Sequence, residues 1–239
     1  MDNAAYLSLS RLSGLRKEMT TIANNLANMS TTGFRREGVV FSEFIRAAPD
    51  GAASLSMTEA RVRRTDMTAG AMERTGGDLD VAIDGDAFFM VAGEDGPRLT
   101  RAGAFQKDQT GAVVDADGRA LLDEGGAPIA VPPDVGKISI EPDGAVLGDG
   151  RLLARIALVT VENASALVRE DGVRFRTDAA LVPGDATVAQ GFVEGANVSP
   201  VEEMARMIDV QRAYEMGQAM LSREDERIRA AIRTLGSSA

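Results

Sequence analysis

The side chains in this chain that could carry out chemistry are almost all carboxylates. The sequence of 239 residues contains no histidine and no cysteine, which excludes Ser-His-Asp and Cys-His catalysis, histidine-ligated zinc and disulfides. Two aspartate pairs, Asp84 with Asp86 and Asp115 with Asp117, have the residue type that glycoside hydrolysis needs. Each pair lies beside a glycine in a turn-like context, and this favours a structural function for them.

Calcium binding is the second chemistry that these aspartates suggest. The segments DGD at residues 84–86 and DADGR at residues 115–119 resemble parts of calcium loops. The full pattern of alternating oxygen ligands with a final glutamate is missing from both. The chain also lacks a phosphate-binding loop and a dinucleotide-binding motif. We therefore predict no catalytic residues, no cofactor and no metal site.

The charge distribution limits the possible partners. The net charge is −10, and no basic cluster is longer than the arginine pairs at 35–36 and 63–64, so a nucleic-acid-binding surface is not expected. Membrane insertion is not expected either, because no apolar run approaches eighteen residues. Charges at Arg11, Arg16 and Lys17 interrupt the N-terminal region, so we expect export, if it occurs, to proceed without a cleaved signal peptide.

The longest element predicted by the sequence is a helix over residues 200–235. Apolar residues recur there every seven positions, which is typical of a helix that packs along another helix. A helix of this length would span about 54 Å, which is too long for a compact domain of this size to bury alone. The repeating residues are Met207, Tyr214, Leu221, Ile228 and Leu235.

A second helix is predicted over residues 3–29, where apolar residues are spaced alternately by three and four. No charged residue occurs between Met19 and Phe34, so this helix is expected to contact neighbours on more than one side. Asn24 and Asn28 lie off the apolar seam and could bond another chain. Two interpretations remain open, an intramolecular two-helix core and assembly between chains. The seam residues are Leu12, Leu15, Met19, Ile22, Leu26 and Met29.

Between the helices the apolar period changes from seven to two. Turn signals such as Asp95-Gly96, Asp117-Gly118 and Asp143-Gly144 separate short apolar runs, which predicts antiparallel hairpins in an all-β domain. The fold class is thus α+β: long terminal helices forming a coiled-coil-like axial layer, a central β domain and an extended connector. The predicted divisions are an N-terminal axial helix (1–35), an extended connector (36–75), a central β domain (76–185), a return connector (186–199) and a C-terminal axial helix (200–239).

Several segments resemble one protein family. ANNLANMSTTGFR at residues 23–35 and NVSPVEEMARMIDVQRAYE at residues 197–215 resemble the terminal motifs of flagellar rod and hook proteins. GDLDVAIDGDAFFMV at 77–91 and RLTRAGAFQ at 98–106 resemble the start of that family's β domain. The opening of the chain and its modest length are most similar to the proximal rod members, and distal rod or hook members are the alternative.

The resemblance implies a structural subunit of the bacterial flagellar basal-body rod, located in the periplasm, that transmits torque. Its implied partners are inner rod subunits, the distal rod protein, copies of itself and the flagellar type III export apparatus. A peptidoglycan-acting enzyme that uses the β-domain carboxylates is a less favoured alternative. We expect the assembly interface to contain the seam and repeat residues of both helices together with Asn24, Asn25, Asn28, Arg212 and Glu215.

Overall fold

The computed structural model describes residues 2–46 and 55–236, which divide into two compact units. The first, here called the helical unit, is drawn from Met1–Ala27, Arg36–Asp66 and Val198–Ala239. The second, here called the β unit, is drawn from Asn28–Arg35 and Met67–Asn197. The α+β class predicted from the sequence is confirmed, with a helix near each end and a β-rich centre.

The helical unit contains two helices and one long hairpin. Its elements are α1 (Asp2–Ala27), β1 (Glu37–Arg46), β2 (Leu55–Thr65) and α2 (Pro200–Gly236). β1 and β2 pair antiparallel, with an irregularity between Val40 and Phe41, and α1 packs against both strands and against α2. The sequence assigned these strands to an extended connector, because their apolar residues do not alternate regularly enough to indicate a hairpin.

The ends of the helices follow from local chemistry. Pro200 begins α2, where its missing N–H costs nothing, and Glu202 and Glu203 complement the positive end of the helix dipole. After α1, the backbone N–H of Thr31 donates to the carbonyl of Asn28, and Gly33 takes a φ of 68°. Among the described helices, none is both long enough and apolar enough to cross a bilayer.

The β unit is built from short strands in several small sheets. Its largest sheet has six strands in the order β13-β14-β6-β5-β12-β15, and a three-stranded sheet has the order β11-β10-β9. Three further pairs join β16 to β4, β17 to β3 and β7 to β8. The strands are β3 (Met72–Arg74), β4 (Val81–Gly85), β5 (Phe88–Val91), β6 (Arg98–Thr100), β7 (Gln106–Lys107), β8 (Val113–Val114), β9 (Ile138–Ile140), β10 (Ala145–Gly148), β11 (Arg151–Arg155), β12 (Leu158–Thr160), β13 (Val168–Asp171), β14 (Arg174–Arg176), β15 (Val182–Pro183), β16 (Ala186–Gln190) and β17 (Phe192–Glu194).

Strand β5 lies between two hydrophobic clusters of this unit. Successive side chains of a strand point to opposite faces, so Phe89 and Val91 enter one cluster, and Phe88 and Met90 enter the other. Burial on both faces explains why the sequence runs FFMV without a polar residue. The turns predicted from Asp-Gly signals are present, since Gly96, Gly118 and Gly144 all have positive φ.

Candidate assembly interface

The two terminal helices pack antiparallel within the helical unit. Asn25 and Glu18 of α1 bond Glu203 and Arg206 of α2, and farther along the pair Leu12 lies against Gly217. A Cβ atom on Gly217 would lie 2.8 Å from Leu12 Cδ2. The missing side chain of this glycine therefore allows the close approach of α1 at the middle of α2.

The α1 side of this interface is partly polar. Leu12 and Ile22 are buried, as the apolar spacing predicts, but Glu18, Thr21 and Asn25 are buried beside them. The remaining members of the predicted seam are less covered: Leu15, Met19 and Leu26 are half-buried, and Met29 is exposed. The face of α1 that packs inside the chain is thus rotated from the purely apolar seam towards its polar neighbours.

The α2 side contains a row of residues with heptad spacing, here called the lane, which includes some of the predicted residues. Met207, Tyr214 and Leu221 are half-buried, and Ile228 is exposed. The side chain of Leu235 lies outside the described residues. Glu203, Val210 and Gly217 lie between the predicted positions and complete this lane. α1 and α2 together border a groove of about 650 Å³, which is lined by Leu9, Leu12, Ser13, Arg16, Tyr214, Gln218, Leu221 and Ser222.

Asn25 is the centre of a buried hydrogen-bond network. Its side-chain amide donates to the carbonyl of Glu37 at 2.8 Å and to Glu203 Oε2 at 3.0 Å. Its Oδ1 accepts the backbone N–H of Glu37 at 2.9 Å. Arg36 Nε donates to the second carboxylate oxygen of Glu203. One asparagine thus joins α1 to the start of β1 and to the first turn of α2. Arg36 supplies the counter-charge for the buried carboxylate of Glu203.

A second polar link lies two turns away from Asn25. Arg206 donates from Nε and Nη2 to Glu18 Oε1 at 3.0 and 2.8 Å. Glu18 is buried and Arg206 is half-buried. Because a partly desolvated ion pair needs defined geometry, this pair also fixes the register of α1 against α2.

The rest of the N-terminal motif belongs to the β unit. Gly33 donates its N–H to the carbonyl of Glu194 at 2.7 Å, and the side chains of Phe34 and Arg35 are buried. Arg35 Nη1 donates to Glu194 Oε1 and to the carbonyl of Thr68. This segment is therefore bound to the end of β17 by backbone and side-chain bonds.

Two further arginines complete this buried cluster. Arg101 Nε lies 3.1 Å from Glu194 Oε2, and its Nη atoms donate to the carbonyls of Ala87 and Gly85. Burial lowers the pKa of Arg101, and the carboxylate of Glu194 opposes that shift. The Arg169 guanidinium lies 4.8 Å from the centroid of the Phe34 ring and 4.9 Å from that of Phe175, which is a cation–π arrangement.

The carboxylates considered for catalysis have structural partners. Asp115 Oδ1 accepts the backbone N–H groups of Asp117 and Arg119, which closes a turn. Asp115, Asp117 and Asp171 each lie within 2.9 Å of Arg174. Hydrogen bonding to Arg174 lowers the pKa of Asp171, and the same bond raises the pKa of Arg174. Asp84 and Asp86 are exposed at the end of β4.

The structure brings only part of the predicted set together. Leu12, Asn25, Tyr214 and Leu221 lie in the contact between the helices, and Ile22 is buried within the same unit. Asn24, Arg212 and Glu215 are exposed, and Asn28 is half-buried in the β unit. Sequence reasoning did not select Glu18, Arg36, Glu203, Arg206 and Gly217. A usable signal was present for Glu203, which lies four residues before Met207 and so falls on the same face in the heptad register.

Family models match the chain in three places. The model described as flagella basal body rod protein matches residues 6–35, and that for the flagellar hook protein FlgE/F/G D1 domain matches residues 82–148. The model described as flagellar basal body rod FlgEFG protein C-terminal matches residues 189–234. The two terminal matches include Asn25 and Glu203, so they span both sides of the network described above.

Curated relatives align with the chain over nearly its whole length. The flagellar basal-body rod protein FlgF of Caulobacter vibrioides is 36% identical over 242 residues, covering 99% of both chains. FlgF of Rhizobium meliloti is 34% identical and covers 100% of both. The flagellar basal-body rod protein FlgG of Bacillus subtilis is 30% identical, covering 95% of this chain and 96% of its own. Each of these names describes a rod protein, and none names an enzymatic activity.

Proposed function

The chain belongs to the FlgF family of flagellar basal-body rod proteins, and we propose that this structural subunit enters the rod through its two terminal helices. The resemblance predicted from the terminal motifs is confirmed by this membership. The chain is also similar in sequence to FlgG proteins, which agrees with the alternative of a distal rod subunit.

One observation carries the proposed mode of assembly. After α2 has packed against α1, large apolar side chains remain exposed along it, including Val201, Ile208, Met216 and Met220. Helices in proteins gain most of their stability from packing an apolar face, and large apolar side chains left exposed along one helix support a binding surface there. The family models match both terminal segments, which supports the same location for the contacts between subunits.

The exposed apolar side chains of α2 suit a mechanical function, the transmission of torque. Close-packed helices from neighbouring subunits would form a coiled-coil-like axial layer in which α1 and α2 are held in register by Glu18 and Asn25. Such a layer resists shear because each helix has partners on several sides, so it can transmit torque across the periplasm. The proposed partners are copies of this chain, inner rod subunits and the distal rod protein, and the proposed route to the rod is type III export without a cleaved signal.

The enzymatic alternative has less support from the geometry. Of the four aspartates considered, Asp115 and Asp117 hold Arg174 in an ion cluster, which gives them a structural function. Asp84 and Asp86 are exposed at the end of β4, in the turn-like context that favours a structural function for them too. A muropeptide assay on the purified protein should therefore give no new products; release of muropeptides would favour the enzyme.

The assembly hypothesis is tested with isolated basal bodies. A strain that lacks the gene is complemented with an epitope-labelled chain, and basal bodies are purified and probed for the label. We expect the label in the rod fraction and restored motility. A matched variant without residues 200–236 keeps the β unit but loses α2, and should be absent from the rod. Incorporation of that variant would contradict assembly through the terminal helices.

A further inference from the structure

The boundaries between the two units fall at four points along the chain, and three short segments of the β unit lead to them. The first segment has a boundary at each of its ends, and each of the other two has one. These segments are here called the crossing segments, and they consist of residues 28–35, 67–70 and 194–197. Any force that the chain carries into the β unit enters through one of them.

Glu194 joins the three crossing segments through its backbone and its carboxylate. Its carbonyl accepts the N–H of Gly33 at 2.7 Å, and its Oε1 accepts the N–H of Gly70 at 2.7 Å. The same Oε1 also accepts a hydrogen bond from Arg35 Nη1. The side chains of Arg35 and Glu194 are only 1% and 2% exposed, so water does not compete for these bonds.

A second group of contacts joins the same segments without Glu194. Asn197 Nδ2 donates to the carbonyl of Thr68 at 2.8 Å, and Arg35 Nη1 donates to that carbonyl at 2.9 Å. A Cβ atom on Gly70 would lie 2.0 Å from the carbonyl oxygen of Gly195. The second and third crossing segments therefore touch backbone to backbone, and a side chain at residue 70 would separate them.

Arg101 attaches this arrangement to the core of the β unit. Its Nε lies 3.1 Å from Glu194 Oε2, and its Nη1 donates to the carbonyl of Ala87 at 2.6 Å. Ala87 is fully buried in one of the two hydrophobic clusters. Nη2 of Arg101 donates to the carbonyl of Gly85, the last residue of β4. The carboxylate that joins the crossing segments is thereby fixed beside two core strands.

We propose that Glu194 makes the three crossing segments into one mechanical joint, so that they open and close together and remain anchored to the core. This inference rests on the proposed function, in which the subunit carries torque. A pull on any one segment is shared with the other two through the same buried carboxylate. Loss of the carboxylate should release all three segments at once, whereas the core strands keep their own hydrogen bonds.

Hydrogen exchange measured by mass spectrometry tests this joint on the purified natural chain and its Glu194→Gln variant. Glutamine keeps the size of the side chain but removes the charge that Arg35 and Arg101 face. Amide exchange reports how often a segment opens, so peptides from all three crossing segments should exchange about 10–100-fold faster in the variant. Peptides that cover β5 should keep the protection that they have in the natural chain.

Asp115→Asn is the matched control, because it neutralises a buried carboxylate that bonds Arg174 elsewhere in the β unit. It should leave exchange in the crossing segments unchanged. If the Glu194 variant does not fold, Asn197→Ala takes its place, since it keeps every charge, and a smaller increase of about 2–10-fold is expected in all three segments. Faster exchange in one segment alone, or an equal increase in β5, would overturn the joint.

The joint and the rod function fail in different measurements. Exchange is measured on the purified chain and does not depend on assembly, whereas incorporation of the natural chain is scored in isolated basal bodies. If the three segments open independently while the natural chain is found in the rod, the joint is wrong and the function as a rod subunit stands. If they open together but the chain is absent from the rod, the function is wrong, and with it the transmission of torque through the joint.

Discussion

Asn25 and Glu203 lie 178 positions apart in the sequence and share a buried hydrogen bond of 3.0 Å. Glu203 is only 1% exposed, and Arg36 supplies its counter-charge. A buried carboxylate is tolerated only when its oxygens have partners. The bond therefore makes the first turn of α2 depend on α1, and the two ends of the chain fold as one helical unit.

Replacing Asn25 by alanine should destabilise the helical unit by about 2–4 kcal/mol, because it leaves a carboxylate oxygen and two backbone groups of Glu37 without their partner. The measurement is equilibrium denaturation of the purified chain followed by circular dichroism at 222 nm. Gln211→Ala removes an exposed amide of α2 and should change the helical transition by less than about 0.5 kcal/mol. Equal effects of the two substitutions would contradict the network.

Gly33→Ala should destabilise the β unit much more than Gly76→Ala. Both glycines have φ near 70°, so both substitutions introduce backbone strain of about 1–2 kcal/mol. At Gly33 the new Cβ would lie 2.2 Å from the backbone nitrogen of Ala102, whereas at Gly76 it would meet nothing within 4 Å. Thermal unfolding of the two variants gives the comparison. A similar melting temperature for both would show that residues 28–35 do not pack as described.

Leu221→Asp should weaken the pairing of α1 with α2 and leave the β unit unchanged. Leu221 lines the groove with Leu9 and Leu12, so a carboxylate there loses apolar contacts and part of its hydration, at a cost of about 1–3 kcal/mol. The control is Ala205→Asp on the exposed face of α2. Limited proteolysis should release α1 and α2 faster only in the Leu221 variant. Identical digestion of the two variants would contradict the packing of Leu221 against α1.

Acidification should destabilise the β unit through Asp171. Its pKa is lowered in the folded protein by hydrogen bonding to Arg174. The stabilisation is therefore fully present above the unfolded pKa, about 3.9, and is lost as the pH falls through the folded value. Asp171→Asn should flatten the dependence of the melting temperature on pH below about 4. Asp134→Asn, an exposed control, should retain the slope of the natural chain.

The positions of both helices could be predicted from the sequence. Residues 200–235 and 3–29 were expected to be helical, and the structure has Pro200–Gly236 and Asp2–Ala27. Long segments with one apolar period and clear end signals are the easiest to assign. The turns of the β unit were predictable for a similar reason, because positive φ at Gly118 or Gly144 is a local requirement that the residue type reveals.

The composition of the interface could not be read from the same pattern. Periodicity assigns polar residues to the exposed face, yet Glu18, Asn25 and Glu203 are buried. Their burial depends on partners such as Arg206 and Arg36, which lie elsewhere in the chain and have no fixed spacing from them. The hairpin of β1 and β2 was missed for a different reason, since the apolar residues of these strands do not alternate regularly enough to indicate strand pairing.

A cryo-electron microscopy map of the basal body, from cells that make this chain, would show how the subunit is built into the rod. We expect α1 and α2 of each copy to lie in the rod, with the exposed apolar side chains of α2 covered by neighbouring subunits. We also expect the Asn25–Glu203 contact inside every copy. Assembly through the terminal helices is wrong if this chain is absent from the rod, or if its β unit makes the contacts between subunits while α2 stays exposed.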